Sequence, residues 1–513
     1  MPSSPPSHEL LAEDNHAHVL RPQDPEPRLI VGFLGVVVLE QHREAEEEAG
    51  KGGEGLGEPA LQCEVADGAP AAHGRRGPPP SSSGDQQLPP RPHGLHRRPH
   101  ERQHRLVPDK SRWRRRRGDP GHLRPRPPPR VSHLCVFCPG SPPTAFACEP
   151  IVVAMEANLV LIRVAFGEPK NANRAKKHDY FLYQQAAGAG ERNKAPSLRQ
   201  IPHPKPFVFF GEHRIGLLPC YDEEHPDLFY IAALPYRSKT TTANQLPFYL
   251  YNSETDRWST KTASLDGNEN HLDLRTFRCT KVIAIGGDGS SSGVVACWVD
   301  LWLGLLHCNV LDATPTLRYT PLPPPLHPEN ELSGCPWLTR DIAVIQGRIS
   351  YVELDVRVLG IDCNGRYIAD GWMAVVWSRT AANPWDEDDW RKEFSVDSDF
   401  VCADDPVLLG QLPSLRDYRG RPEPTLLRIH IGHPTLSLQG DAVVYLMAKA
   451  KFMDDDAWVV AFDMTGNGSL KAVARFGAER TMGISFSYVH SRISEYLNLD
   501  PAFVVNCTSS AQI

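Results

Sequence analysis

The strongest constraint on this chain is a pattern of four short apolar segments that occurs twice in its C-terminal part. The first unit runs Ile342-Ala343-Val344-Ile345-Gln346-Gly347, Ile349-Ser350-Tyr351-Val352, Gly371-Trp372-Met373-Ala374-Val375-Val376-Trp377 and then Trp390 to Val396. The second runs Leu436-Ser437-Leu438-Gln439-Gly440, Val443-Val444-Tyr445-Leu446, Ala457-Trp458-Val459-Val460-Ala461-Phe462 and then Leu470 to Phe476. Each reads as a strand, a Gly turn, a strand ending in an aromatic and an apolar residue, a Trp-bearing strand and an outer strand. Self-similar sets of short strands are the sequence sign of a radial repeat architecture.

Upstream, further strand candidates are Ile151–Val153, Leu159–Phe166, Tyr180–Tyr183, Ile215–Pro219, Phe229–Leu234 and Phe248–Tyr251. Val282–Ile285, Val294–Val299, Leu303–Val310 and Leu317–Leu322 follow, broken by Gly, Pro and Asp turns. Helical spacing is nearly absent before Ile493-Ser494-Glu495-Tyr496-Leu497, which excludes a doubly wound α/β fold. The pattern predicts an all-β chain: a β-propeller-like array of four-stranded antiparallel blades, preceded by a disordered N-terminal segment. At ~40–50 residues per blade, residues 131–513 hold about six to eight blades. A pair of large β-sandwiches is the alternative; recurring Trp residues, placed to pack between neighbouring blades, favour the propeller. The stretch Phe248-Tyr249-Leu250-Tyr251-Asn252-Ser253-Glu254-Thr255-Asp256-Arg257-Trp258-Ser259 reads as the outer hairpin of a kelch-type blade.

Residues 1–130 differ in texture. They are low in complexity and rich in Arg, Pro and Gly, with too few apolar residues to offset an ordering entropy of ~1–2 kcal/mol per residue. Three readings stay open for them: an extended tail, a nuclear-import or RNA-contacting patch at Arg114–Arg117, and a doubtful translation of GC-rich sequence. Residues 91–130 carry thirteen Arg and Lys110 against Glu101, Asp109 and Asp119, a local charge of +11. With −7 for the whole chain, −18 is left for the rest, so the folded body would repel phosphate backbones and only tract 91–130 suits a nucleic acid. The twelve cysteines are scattered and several sit in apolar strands, as in Ala296-Cys297-Trp298, which points to reduced thiols. No secretory signal is visible, and the longest apolar run, Leu29 to Leu39, is about half of the ~20 residues a membrane span needs. The expectation is an intracellular protein, cytoplasmic or nuclear, without a membrane partner.

The motifs that spell chemistry fail their context tests. Gly289-Ser290-Ser291-Ser292-Gly293 matches G-x-S-x-G, but a strand follows it where a nucleophile elbow needs a helix. Gly286-Gly287-Asp288-Gly289 lacks the G-K-[ST] of a phosphate loop. Cys135-x-x-Cys138, with His133 and Cys148 nearby, has half the spacing of a zinc knuckle and no second pair. Asp386-Glu387-Asp388-Asp389 and Asp454-Asp455-Asp456 lack the alternation of a calcium loop and read as turns. His203, His213 and His225 read as exposed loop residues; Tyr351, Trp372, Tyr445 and Trp458 read as blade core or interface. No catalytic, cofactor or metal residue is assigned.

Taken together, "VDLWLGLLHCNVLDATPTLRYTPLPPP", "TRDIAVIQGRISYVEL", "GWMAVVWS" and "LSLQGDAVVYLMAKAKFMDDDAWVVAFDM" resemble the grass-expanded plant family catalogued as domain of unknown function 1618. The leader "LCVFCPGSPPTAFACEP" and "FYLYNSETDRWS" are similar to that family as well, so the resemblance covers about 133–500, with a core at 295–465. It implies a propeller-like fold and carries over no catalytic residue. The expected function is a non-catalytic protein-recognition scaffold, with Leu322–Trp337 and Thr380–Trp390 as contact insertions. The alternative is a propeller enzyme, which requires polar side chains converging in the central channel from several inner strands.

Overall fold

A computed structural model describes residues 36–39, 121–124 and, with interruptions, 128–493. The chain divides into two compact units, one of residues 1–41 with 108–513 and one of residues 42–107; the second lies wholly outside the described residues. The described residues of the first are mainly β-strand, with little helix. Blade 1 is β4–β7 (Ile151–Glu156, Leu159–Ala165, His178–Gln184, Ser197–Ile201) and blade 2 is β8–β11 (Phe210–Pro219, Phe229–Pro235, Gln245–Asn252, Arg257–Leu265). Blade 3 is β12–β15 (Lys281–Ile285, Val295–Asp300, Gly304–Asn309, Thr316–Pro321). Blade 4 is β16–β19 (Arg340–Ile345, Arg348–Ile361, Tyr367–Thr380, Arg391–Asp397) and blade 5 is β20–β23 (His430–Leu436, Val443–Lys449, Asp456–Asp463, Ser469–Gly477). Every blade is an antiparallel meander. A closing sheet joins β1 (Val36–Leu39), β2 (Gly121–Arg124), β3 (Val131–Val136) and β24 (Tyr488–Ser491), with β1 pairing parallel to β24.

Period-two alternation explains why the strands read as unbroken apolar runs. Successive side chains point to opposite faces of a strand, and here both faces are covered by a neighbouring sheet. In β5, Leu159 and Leu161 pack toward blade 2, while Val160, Ile162 and Val164 pack with Ile493 beyond β24. In β13, Ala296 and Trp298 face blade 2, and Cys297 and Val299 face blade 4. In β21, Val444 and Leu446 face blade 4, and Val443, Tyr445 and Met447 face the closing sheet. The buried side chains thus fall into six clusters, one at each successive junction from the closing sheet through blades 1 to 5 and back. That succession closes a ring, so the array is propeller-like and the sandwich alternative is set aside.

Several expectations need correction. Val36–Leu39 and Gly121–Arg124 come from the segment expected to be disordered, yet they form strands of the closing sheet; the rest of residues 1–120 lies outside the described residues. The three β-branched residues Val36-Val37-Val38 favour a strand, and Val36–Leu39 finds unpaired edges on both β3 and β24. The first strand of blade 5 is His430–Leu436, ending where the sequence pattern places its start. Its charged and His-bearing beginning hides it from a search for apolar runs. Blades 2 and 3 are not independent either: β11 and β15 pair in parallel through Ser264 and Leu265, fusing them into an eight-stranded sheet. The Trp residues do pack between blades, Trp298 against Phe248 at 5.3 Å and Trp372 against Phe462 at 4.7 Å. They occupy the second strand in one blade and the third in the other, so their position is not constant.

Candidate functional site

Two features stand out among the described residues: a charged cluster in the central channel and an apolar rim at one end of the ring.

The channel is lined by the first strand of each blade and by β24, and encloses about 110 Å³. Polar residues stand on these inner strands because only there does a side chain face the axis instead of a neighbouring blade. Lys281 at the start of β12 donates to Asp341 Oδ1 on β16 at 2.7 Å and to Ile342 O at 2.6 Å. Its ammonium lies 3.2 Å from Nε2 of His490 on β24, whose Nδ1 is 3.4 Å from Asp341 Oδ2. A neutral imidazole with its proton on Nδ1 satisfies both contacts, accepting from Lys281 and turning its N–H toward Asp341. Asp341 Oδ2 also accepts the Leu436 N–H of blade 5 at 3.2 Å. One carboxylate therefore ties three blades to the closing sheet.

Burial opposes the charge on Asp341, but Lys281 and His490 outweigh it and hold the carboxyl well below the usual carboxylate range. Burial and the Lys281 charge push the His490 imidazole down, which keeps it neutral. Glu156, at the end of β4, behaves oppositely. Burial raises its carboxyl to about 7, against the opposing pull of Arg492, the Ala157 N–H and Lys281. This carboxyl can take up and release a proton near neutrality. Its sign fixes a pH dependence: a folded carboxyl that holds its proton more tightly than the ordinary 4.5 stabilises fully below that value, and the contribution is lost as pH rises to about 7. Glu156→Gln is expected to flatten the slope of thermal stability over that window and to raise the unfolding temperature above about pH 7. Scanning fluorimetry across the window checks it, and a parental slope retained in the variant would refute it.

The rim is set by topology. In a meander blade the hairpin between second and third strands and the connection to the next blade lie at the same end of the ring. Eight large apolar side chains are exposed among the described residues, and seven of them lie at that end: Leu303, Val358, Leu359, Ile368, Phe400, Val407 and Met453. The β17–β18 hairpin runs past its neighbours: β16 pairs only with Arg348–Glu353 and β19 only with Met373–Ser378, so Val358, Leu359 and Ile368 stand on an uncovered two-stranded arm. The arm is pinned at its base. Arg357 pairs with Asp397 and Asp399, both at 2.8 Å, and Arg428 donates to Ala369 O at 3.0 Å. Asp397 ends β19, and Asp399 and Arg428 belong to the connection between blades 4 and 5, which carries Phe400 at 69% exposure and Val407 at 71%. Val407 is presented by α1 (Pro406–Leu409), capped by Asp405, whose carboxylate accepts the Val407 and Leu408 N–H groups behind Pro406. Tyr367 packs on Phe452 at 5.6 Å, bringing the arm to the loop that bears Met453.

The motifs singled out in the sequence are not drawn together. The G-x-S-x-G segment joins antiparallel β12 and β13, and residues 287–292 lie outside the described residues, as do Cys138, His225 and residues 386–388. Asp454 takes a turn, its carbonyl accepting from Lys449 at 2.8 Å, and Asp456 pairs with Arg475 at 2.6 Å. Two histidines read as exposed loop residues differ from that reading: His203 lies in the loop between β7 and β8 but is part-buried and reaches Asp179 at 3.1 Å, and His213 lies on β8, lines the channel and stacks on Trp337 at 4.1 Å. Tyr351, Trp372, Tyr445 and Trp458 do lie in or against the inter-blade clusters. The insertions Leu322–Trp337 and Thr380–Trp390 fall at opposite ends of the ring, since one links blades and the other joins third to fourth strand. Sequence reasoning missed Glu156, Lys281, Asp341 and His490; their only signal is a charged or imidazole side chain in an otherwise apolar short strand. Among the described residues no group of three His, Cys, Asp or Glu side chains is placed to hold a metal ion, and no helix is long and apolar enough to cross a membrane.

Fold and site define an all-β, propeller-like protein. Residues 298–445, from Trp298 in blade 3 to Tyr445 in blade 5, match the family model described as protein of unknown function (DUF1618), a narrower span than the resemblance drawn from the sequence. No curated protein sequence matches the chain. Among solved structures, an intramolecular trans-sialidase from Ruminococcus gnavus is similar at 8% identity, over 60% of this chain and 52% of that one, with a TM-score of 0.27. The Aleuria aurantia lectin is similar at 11% identity over 66% and 82%, TM-score 0.28. A Trypanosoma rangeli sialidase is similar at 10% identity over 68% and 47%, TM-score 0.28. The chain thus spans about half the length of both sialidases, and likenesses this distant carry no functional argument.

Proposed function

We propose that this chain is a non-catalytic protein-recognition scaffold that docks a partner protein on the apolar rim. The carrying observation is that seven of the eight exposed large apolar side chains gather at one end, three of them on an arm held out by Arg357 and Arg428. Single exposed apolar residues are ordinary, but their concentration on projecting, pinned segments marks an interaction surface. The channel supports the same reading. Polar side chains do converge there, as the enzyme alternative requires, but the 110 Å³ is well below the ~300 Å³ at which pockets for drug-sized ligands begin, and Lys281 and Asp341 spend hydrogen bonds on each other and on the inner strands. We place the protein in the plant family named above and in a reducing, intracellular compartment; seven described cysteines are free thiols, which supports the latter.

The test is capture from plant tissue with the full chain and with a Leu359→Ser/Phe400→Ser variant. Both residues are exposed, so the fold is expected to lose no more than about 1 kcal/mol. Partners retained by the parent and lost by the variant support the rim. An identical set of partners in both would overturn it.

A further inference from the structure

A second cavity lies between blades 4 and 5 at the end of the ring opposite the rim, and encloses about 190 Å³. The two equivalent hairpin turns frame it: Gln346 Nε2 donates to Gln439 O at 3.3 Å. Gly440, at a φ of 72°, makes room for that amide, since a Cβ there would stand 2.5 Å from Gln346 Nε2. Blade 4 builds the polar wall. Ser378 Oγ donates to Glu393 Oε1 at 2.5 Å and accepts from Arg348 Nε and Nη2 at 3.0 and 2.7 Å. Among the described residues Arg348 Nη1 and Glu393 Oε2 make no hydrogen bond, on side chains that are each 39% exposed. Ser350 on β17 is nine-tenths buried and lines the cavity. Val376, Phe394 and Val444 supply an apolar wall.

We propose that this cavity binds a neutral polyhydroxylated ligand the size of a single sugar ring. Guanidinium and carboxylate stand side by side, so the wall has no net charge: an anion meets Glu393 and a cation meets Arg348. A ligand with neighbouring hydroxyls uses both, donating to Glu393 and accepting from Arg348 in charge-assisted hydrogen bonds. A further ligand hydroxyl can pair with the Ser350 hydroxyl, which lines the same cavity. The C–H face of a ring then lies on Phe394 and the valines, the mix of apolar lining and few placed polar groups that small-ligand sites share. The volume, below the ~300 Å³ of drug-sized sites, admits one ring and not an oligosaccharide. The proposal does not depend on the rim, which lies at the other end.

Saturation-transfer NMR and calorimetry on the full chain test it, with glucose, galactose, mannose, fucose and myo-inositol as neutral probes and gluconate, glucosamine and inorganic phosphate as charged ones. At least one neutral probe is expected to bind, with affinity lowered about tenfold or more by Glu393→Gln and by Ser350→Ala, and unchanged by Phe400→Ser. Glu393→Gln keeps the shape of an exposed side chain, and circular dichroism verifies its fold. Failure of every neutral probe, binding that survives both substitutions, or tighter binding of a charged probe would each overturn the assignment.

Discussion

Asp341→Ala is expected to destabilise the folded chain by about 3–5 kcal/mol, the cost of leaving a buried ammonium without its counter-ion. Lys281 is only 22% exposed and Asp341 12%, so water replaces little of what the substitution removes. The loss spreads around the ring, because Asp341 also accepts the Leu436 N–H and stands beside His490. Denaturant unfolding measures it, and the double variant Lys281→Met/Asp341→Leu is the control. With both charges gone, nothing buried is left uncompensated, and stability should recover to well above that of Asp341→Ala. A double variant as weak as the single one would show that the cluster does more than neutralise itself. The pH sign follows from the lowered carboxyl. Its contribution is full above the ordinary value of 3.8 and is lost as pH falls through the still lower folded value. Asp341 thus weakens the fold in acid, and Glu156 weakens it as pH rises to about 7.

Trp372→Ala is expected to cost about 3–5 kcal/mol, the range for removing a buried Trp or Phe from a packed core. The indole is 1% exposed, lies against Phe462 across the junction of blades 4 and 5, and donates from Nε1 to Leu426 O at 3.2 Å. Leu426 belongs to α2 (Thr425–Arg428), in the connection that carries Phe400 and Val407. The substitution should therefore also loosen the rim, which limited proteolysis of residues 398–429 would detect. Trp298→Phe provides the contrast: among the described residues the Trp298 Nε1–H has no hydrogen-bond partner, so its cost is a packing cost alone. Equal losses for Trp298→Phe and Trp372→Phe would remove the role assigned to the Leu426 hydrogen bond.

Much of the fold is legible in the chain because a blade strand buries both faces. Val443 to Leu446, or Ala296 to Val299, is apolar at every position, and short apolar runs between turns announce strands without any need to know what covers them. Strands that break this rule escape notice. Ser197–Ile201 is an outer strand with polar exposure, and His430 opens an inner strand whose polar side chains turn to the channel and the Tyr367 ring. The candidate sites are illegible for a related reason. Glu156, Lys281, Asp341 and His490 are far apart in sequence, and each looks like a stray charge or imidazole at a strand end. Nothing local says that β4, β12, β16 and β24 share an axis.

By itself, then, the sequence determined an all-β repeat of four-stranded blades and the identity of the Trp and Tyr residues between them. These depend on periodicity and side-chain volume, which are local properties. Only the tertiary structure decided that blades 2 and 3 fuse, that the ring is closed by β1 and β24, that one carboxylate serves three blades, and that Val358, Phe400, Val407 and Met453 face the same way. Those are consequences of which strand ends meet in space, and contacts between residues distant in sequence leave no period to read.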